Sequence, residues 1–302
     1  MKILVSGSSG LVGSRLVPAL AQLGHNVVRL VRDKAQVSAD AAYWDPQSGE
    51  IDAAALAGCE AAINLGGVSI ADGRWTAERK RAIHDSRVDA TTSLAKALSS
   101  VEPTPSVLIS ASAVGYYGTR GDEVLDESSD TGSGDFLSGV CRDWEAATAA
   151  ASAAGIRVVH TRFGVILSAR GGALAKMLTP FKLGLGGPIG SGRQYMSWIA
   201  IDDVVGAIVH CLTDDELSGP VNVVAPEPVT NYTYAKTLGH VLSRPTVFPM
   251  PAFAARLAFG EMADELLLAG QRVVPTRLLK SDYQFRYPQL QEALRHLLNK
   301  EK

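Results

Sequence analysis

The chain has 302 residues, more than one hydrophobic core usually holds, which predicts one large α/β domain with a smaller satellite. Its 29 basic and 31 acidic side chains leave a formal net charge of −2 with no long basic run, which argues against nucleic acid or a membrane surface and for a small-molecule partner. Cys59, Cys141 and Cys211 are widely spaced and read as reduced thiols, with no disulfide framework and no metal site expected. The first strand opens at about residue 2 and no apolar run reaches the ~18 residues of a membrane span, so a cytoplasmic location is expected.

Apolar, β-branched runs at 3–6, 27–31, 61–65, 107–110 and 158–165 predict strands, and apolar residues at three- and four-residue spacing predict helices over 11–23, 76–99 and 136–154. Strands alternating with helices imply a Rossmann-type, doubly wound parallel sheet with ligands at the carboxyl ends of its strands. Residues 182–197 are too glycine-rich for a helix and too long for a simple connector, which leaves two readings: a wall or lid of the substrate pocket with Arg193 and Gln194 as polar contacts, or a mobile loop. A strand-like run at 198–201 follows, then Asp202 and Asp203 capping a helix over 204–212, then a strand at 221–224. From Asn231 the pattern is helical and punctuated by prolines, which predicts a small, mainly helical domain over the cofactor cleft. The expected division is a dinucleotide-binding domain at 1–167, with the sheet rejoined by about 198–224, and a substrate or lid region at 168–197 and 225–302.

The turn Gly7-Ser8-Ser9-Gly10-Leu11-Val12-Gly13 directly follows the apolar run Ile3-Leu4-Val5 and opens the helical pattern of Leu16, Val17, Leu20 and Leu23. In that strand, turn, helix order the glycines permit a tight turn, close approach to a pyrophosphate and packing of helix on strand. Amides at the helix start then bind the anion, which makes Gly7, Ser9, Gly10, Leu11, Val12 and Gly13 candidate cofactor contacts. The acidic residue that holds the ribose of NAD is expected about 18 to 20 residues past the last glycine, where this chain has Val31 and Arg32. An arginine pairs with the additional phosphate of NADP where a carboxylate repels it, so NADP(H) is expected. The other reading leaves Arg32 at the surface and lets Asp33 reach the ribose.

Beside the glycine turn stand Ile63-Asn64-Leu65-Gly66-Gly67, Gly73-Arg74-Trp75, Ser86-Arg87, Ser112-Ala113-Val114-Gly115-Tyr116-Tyr117-Gly118, Trp144-Glu145 and the 186–192 glycine loop. With these strings the chain resembles the atypical short-chain dehydrogenase/reductase family, in which members are often labelled nucleoside-diphosphate-sugar epimerase family proteins. The resemblance runs from Met1 to about Leu298 and takes in Trp198-Ile199, Asn222, Asn231 and 270–275. It implies NADP(H) as cofactor and places Leu65, Gly66, Arg87, Ser110 and Ile166 at the cofactor site, with Arg87 reaching the phosphates.

Extended relatives of this fold use a Ser or Thr after the fourth strand, a Tyr-x-x-x-Lys helix, and a Glu four residues past the lysine. Counting back from Glu145 puts Cys141 at the lysine position and Leu137 at the tyrosine position, so neither can move a proton. Ser112 matches the serine, and Tyr116 or Tyr117 stands close enough in sequence to supply the missing acid, or else packs at the base of a loop. Ser112 and Tyr116 are therefore the candidate catalytic residues. Two functions follow: an NADP-dependent oxidoreductase or epimerase-like enzyme of unknown substrate, or a non-catalytic NADPH-binding sensor or partner-binding protein.

Overall fold

In the computed structural model, which describes residues 1–132 and 134–300, strands and helices alternate as the sequence predicts. The chain opens with Lys2–Ser6 (β1), Gly13–Gln22 (α1), Asn26–Val31 (β2), Ala41–Tyr43 (β3), Ala53–Leu56 (α2), Ala61–Asn64 (β4), Ala77–Ser99 (α3) and Val107–Ala113 (β5). It continues through Val124–Leu125 (β6), Phe136–Ala146 (α4), Ala149–Ala153 (α5), Arg157–Phe163 (β7), Val165–Leu167 (β8) and Gly172–Lys182 (α6). Next come Tyr195–Met196 (β9), Trp198–Ala200 (β10), Ile201–Thr213 (α7), Gly219–Val223 (β11) and Val229–Thr230 (β12). Asn231–Leu242 (α8), Ala252–Phe259 (α9), Arg272–Val273 (β13), Thr276–Lys280 (α10) and Leu290–Leu297 (α11) follow.

Seven strands form the central sheet in the order β11-β7-β5-β4-β1-β2-β3, every neighbouring pair parallel. Such strands are covered on both faces, which is why they read as continuous apolar runs. Successive side chains alternate between the faces. Ile3, Val5, Ile63, Ile109 and Val159 pack against Leu16 and Leu20 of α1 and Val204 and Ile208 of α7. Leu4, Ala62, Leu108 and Val158 pack against Ala90, Leu94 and Leu98 of α3. A third apolar cluster joins Leu174 and Phe181 of α6, Trp198 of β10, Tyr234 and Leu238 of α8, and Leu294 of α11. Among the described residues no helix is long and apolar enough to cross a membrane.

Four local expectations are corrected. The run at 158–165 is two strands, because a side chain at Gly164 would collide with Ser197 and Val224 and the chain bends there: β7 stays in the main sheet while β8 pairs with β10. The helix expected over 136–154 breaks between α4 and α5, where the Thr148 hydroxyl donates to the Glu145 carbonyl at 2.8 Å and meets His160 Nε2 at 2.9 Å. The run at 198–201 does not rejoin the main sheet, which is reached only by β11. Asp202 and Asp203 do not cap α7, whose N-cap is Ala200.

Asp203 instead holds the C-terminal segment. Its fully buried carboxylate accepts from the amides of Arg286 at 2.7 Å and Tyr287 at 3.0 Å, and from the Tyr283 hydroxyl at 3.2 Å. Leu278, Tyr283 and Phe285 consequently pack with α7 on the sheet core, so this part of the helical region does not lie over the cleft. Residues 301 and 302 of the expected lid region lie outside the described residues. Replacing Asp203 by Ala strands those buried donors, and a loss of about 3 kcal/mol in urea denaturation is expected. An unchanged midpoint would refute the tether.

Candidate functional site

The sheet reverses its order between β1 and β4, which opens a crevice at their carboxyl ends. The glycine turn fills the β1 side of it. Gly7 has φ +67°, and a Cβ there would lie 2.7 Å from the Leu65 carbonyl, so only glycine lets the turn pass over β4. At Gly13 a Cβ would run into the Gly7 carbonyl and the Ser8 backbone. Behind the turn, the Leu65 amide donates to Ser6 Oγ at 3.2 Å, Ser6 Oγ to Asn64 Oδ1 at 2.5 Å, and Asn64 Nδ2 to Thr91 Oγ1 at 2.8 Å. Trp144 Nε1 also donates to Thr91 Oγ1, at 2.9 Å. This buried chain ties β1, β4, α3 and α4 together beneath the crevice.

The sequence-predicted cofactor residues converge around it. Ser9 and Gly10 are exposed on the turn, and the amides of Leu11 and Val12 sit at the open N-terminal end of α1. Leu65 and Gly66 form the opposite wall, and the Leu11 side chain reaches Gly171 and Gly172 beside the Ile166 carbonyl. Ser110 is fully buried at the β4–β5 register, and its Oγ has no partner among the described residues. Arg87 lies against Gly67, donating to the carbonyls of Ile83 at 2.9 Å and Val68 at 3.1 Å, with its guanidinium over the Trp144 ring at 5.1 Å. Asp33 is taken up in a cap: its Oδ1 accepts the Ala35 amide at 2.9 Å. Arg32, beside it, is exposed.

A buried polar cluster stands beyond the end of β5. Arg162 of β7, 3% exposed, forks onto Glu145 of α4 with both bonds at 2.8 Å. Burial opposes the guanidinium charge, but the Glu145 bonds raise its pKa well above the ordinary value. Ser112 Oγ donates to the same carboxylate at 2.7 Å. Arg162 Nη1 reaches the Tyr117 hydroxyl at 2.9 Å, and that hydroxyl donates to Asn222 Oδ1 at 2.7 Å; burial pushes its pKa up to about 12. Tyr116 lays its ring on the guanidinium, 3.5 Å from centre to carbon, and among the described residues its hydroxyl has no hydrogen-bond partner. Burial lowers the pKa of His160, which packs here as a neutral ring against Thr148.

Leu137 and Cys141 lie side by side against Gly115. Burial pushes the Cys141 thiol up to about 12, so it is no nucleophile. Trp75, Phe136, Leu137, Met262 and Leu266 form an apolar cluster there. Glu265, from a π-helical turn at Ala263–Leu268, accepts the amides of Phe136 at 3.1 Å and Leu137 at 3.0 Å. Only about 10 Å³ of space remains between Gly115, Thr119, Asp135, Leu137, Glu265 and Gln271. A wider cleft of about 490 Å³ is lined by Asp122, Ser191, Arg193, Tyr195, Thr230 and Tyr232. Arg193 lines this cleft, whereas Gln194 is turned inward, donating to the carbonyls of Ile189 at 3.0 Å and Leu267 at 2.7 Å. Sequence reasoning missed Glu265 and the pairing of Arg162 with Glu145, since no spacing motif links such distant positions.

The family model described as "NAD dependent epimerase/dehydratase family" matches residues 3–225, and one described as "Domain of unknown function (DUF1731)" matches 250–297. The chain is 45% identical over 292 residues to "Epimerase family protein Mb2239" of Mycobacterium bovis, covering 97% of this chain and 96% of that protein. It is 38% identical over 301 residues to "Epimerase family protein YfhF" of Bacillus subtilis, covering 99% and 98%. The crystal structure of human epimerase family protein SDR39U1 with NADPH superposes with a TM-score of 0.89 at 35% identity, over 99% of each chain.

Removing one partner of a buried ion pair leaves the other charge unanswered, at about 3–5 kcal/mol. Glu145→Ala is expected to lose that much in denaturant titration; a loss below about 1 kcal/mol, the worth of an exposed pair, would show that Arg162 reaches solvent.

Proposed function

Since the chain belongs to the NAD-dependent epimerase/dehydratase family, we propose that it binds NADP(H) at the β1–β4 crevice and acts as an oxidoreductase on a small carbonyl or alcohol, with Tyr116 as its proton donor. The observation that carries the cofactor choice is the pair at the end of β2. Asp33 is committed to its cap and Arg32 is exposed beside it, so a cation and not a carboxylate is available to the adenosine ribose. The residues fit the rest of a dinucleotide: a turn that admits a pyrophosphate to the α1 amides, and Ser110 with a buried hydroxyl awaiting a partner. Arg87, half-buried and bonded among the described residues to carbonyls and no carboxylate, supports the reading as a cation that could answer phosphate charge. The human relative crystallised with NADPH supports the same choice.

Hydride transfer is the chemistry a bound nicotinamide supplies. The chain must then move a proton, and Leu137 and Cys141 cannot. Ser112 is occupied by Glu145, and Tyr117 is buried between Arg162 and Asn222. Tyr116, its ring held against Arg162, keeps a hydroxyl with no hydrogen-bond partner among the described residues, so it is the donor and Ser112 a positioning residue that holds Glu145. The substrate is proposed to enter between the dinucleotide-binding part and residues 168–197 and 225–302, whose Arg193 lines the wide cleft. Three free, buried thiols support a cytoplasmic location.

Fluorescence titration should show NADPH binding at least about tenfold tighter than NADH, with Arg32→Ala removing the difference, because a charge-assisted bond to phosphate is worth about 1.5–3 kcal/mol. Equal affinities in the unaltered protein would sink the Arg32 argument. For the chemistry, NADPH consumption is followed with a panel of small aldehydes and quinones. Tyr116→Phe is expected to cut turnover by about 10²–10⁴-fold with NADPH affinity unchanged. Undiminished turnover would assign the proton elsewhere.

A further inference from the structure

The charge balance of the whole chain hides a one-sided region. Residues 171–201 and 228–260 contain no aspartate or glutamate. In the fold these two stretches meet: Arg244 Nε donates to the Lys182 carbonyl at 2.8 Å, the Met250 amide to Pro188 at 2.9 Å, and the Gly190 amide to Met250 at 2.8 Å. Along this seam the large apolar side chains point outward. Leu183 is 69% exposed and Val247 65%, and one turn apart on α9 stand Phe253 at 72% and Leu257 at 75%. Lys182, Arg244 and Lys236 are exposed around them, and none forms an ion pair among the described residues; Arg256, next to Leu257, is answered by Asp264 at 2.9 Å.

We propose that this face docks on the surface of a bilayer containing anionic lipid, with Leu183, Val247, Phe253 and Leu257 entering the acyl boundary and Lys182, Arg244 and Lys236 meeting the headgroups. Apolar tips beside Lys182, Arg244 and Lys236, unpaired among the described residues, with the neighbouring Asp264 and Glu261 already spent on Arg256 and Lys80, are the chemistry of interfacial binding. The geometry favours a bilayer over other occupants. Side chains exposed to this degree suit a deformable surface better than a shaped protein pocket. A second copy would set Lys182, Arg244 and Lys236 against themselves, because a two-fold interface pairs a patch with itself. The association is peripheral, and it differs from the expectation of no membrane partner because overall net charge carries no information about segregation of charge.

The full chain is floated with vesicles of phosphatidylcholine alone and of phosphatidylcholine with phosphatidylglycerol, at low and high salt. Binding is expected to the mixed vesicles only, weakening with salt. Phe253→Asp with Leu257→Asp is expected to cost at least about tenfold in vesicle affinity, and Lys182→Glu with Arg244→Glu to remove the preference for anionic lipid. All four positions are exposed, and circular dichroism with NADPH titration confirms that each variant is folded. Failure to float with the mixed vesicles, or flotation that both variants leave unchanged, overturns the proposal. A concentration-dependent dimer dissolved by the same substitutions gives the face to a second copy, and binding to polyglutamate without binding to vesicles gives it to an acidic protein.

Discussion

A guanidinium that is 3% exposed has to be answered by something, and the way Arg162 is answered organises the centre of this molecule. Glu145 takes both of its forks, Tyr117 takes a third N–H, and Tyr116 covers the face of the plane. These partners come from α4 and from the 3₁₀ turn Val114–Tyr117 after β5, and Tyr117 is tied in turn to Asn222 of β11. Moving any one of them leaves a charge or a hydroxyl without its partner in a medium where that is expensive. The cluster thereby fixes how α4 sits against β5 and β7, and with it the position of Leu137 and Cys141.

That placement explains how a cofactor fold can lose its usual acid and keep its shape. Relatives with a tyrosine and a lysine on this helix hold the substrate carbonyl and the nicotinamide ribose with them. Here the same two positions turn apolar surface toward Gly115, and the neighbourhood is filled by Trp75, Phe136, Met262 and Leu266. Glu265 closes the gap from the C-terminal side by seating both carboxylate oxygens on the first amides of α4, a favourable place for negative charge. Little space is left beside Leu137, whereas a separate and wider cleft opens at Arg193.

The crevice between β1 and β4 depends on a separate constraint. Its glycines are required by backbone crowding, since the turn passes within van der Waals contact of Leu65, and the Ser6–Asn64–Thr91 chain holds the two strand ends in register below it. Neither constraint involves the C-terminal helices. α8 and α11 pack with α6 and Trp198 in another apolar cluster, and the stretch 228–260, which holds α8 and α9, carries no acidic residue.

The amino-acid sequence by itself determined what short-range chemistry determines. The alternation of strands and helices, the glycine turn after β1, the arginine after β2 and the missing Tyr-x-x-x-Lys pair are written within windows of a few residues, where backbone sterics and burial period act locally. The break at Gly164 was invisible because its cause, the approach of Ser197 and Val224, is remote in sequence. Asp203 resembles a helix cap by position, yet its carboxylate is spent on amides more than eighty residues away. For the same reason the pairing of Arg162 with Glu145, the reach of Glu265 to α4, the ring of Tyr116 on Arg162 and the meeting of the two acid-free stretches were decided only by the tertiary structure. Burial makes a polar group choose its partner by distance in space, and distance along the chain does not encode that.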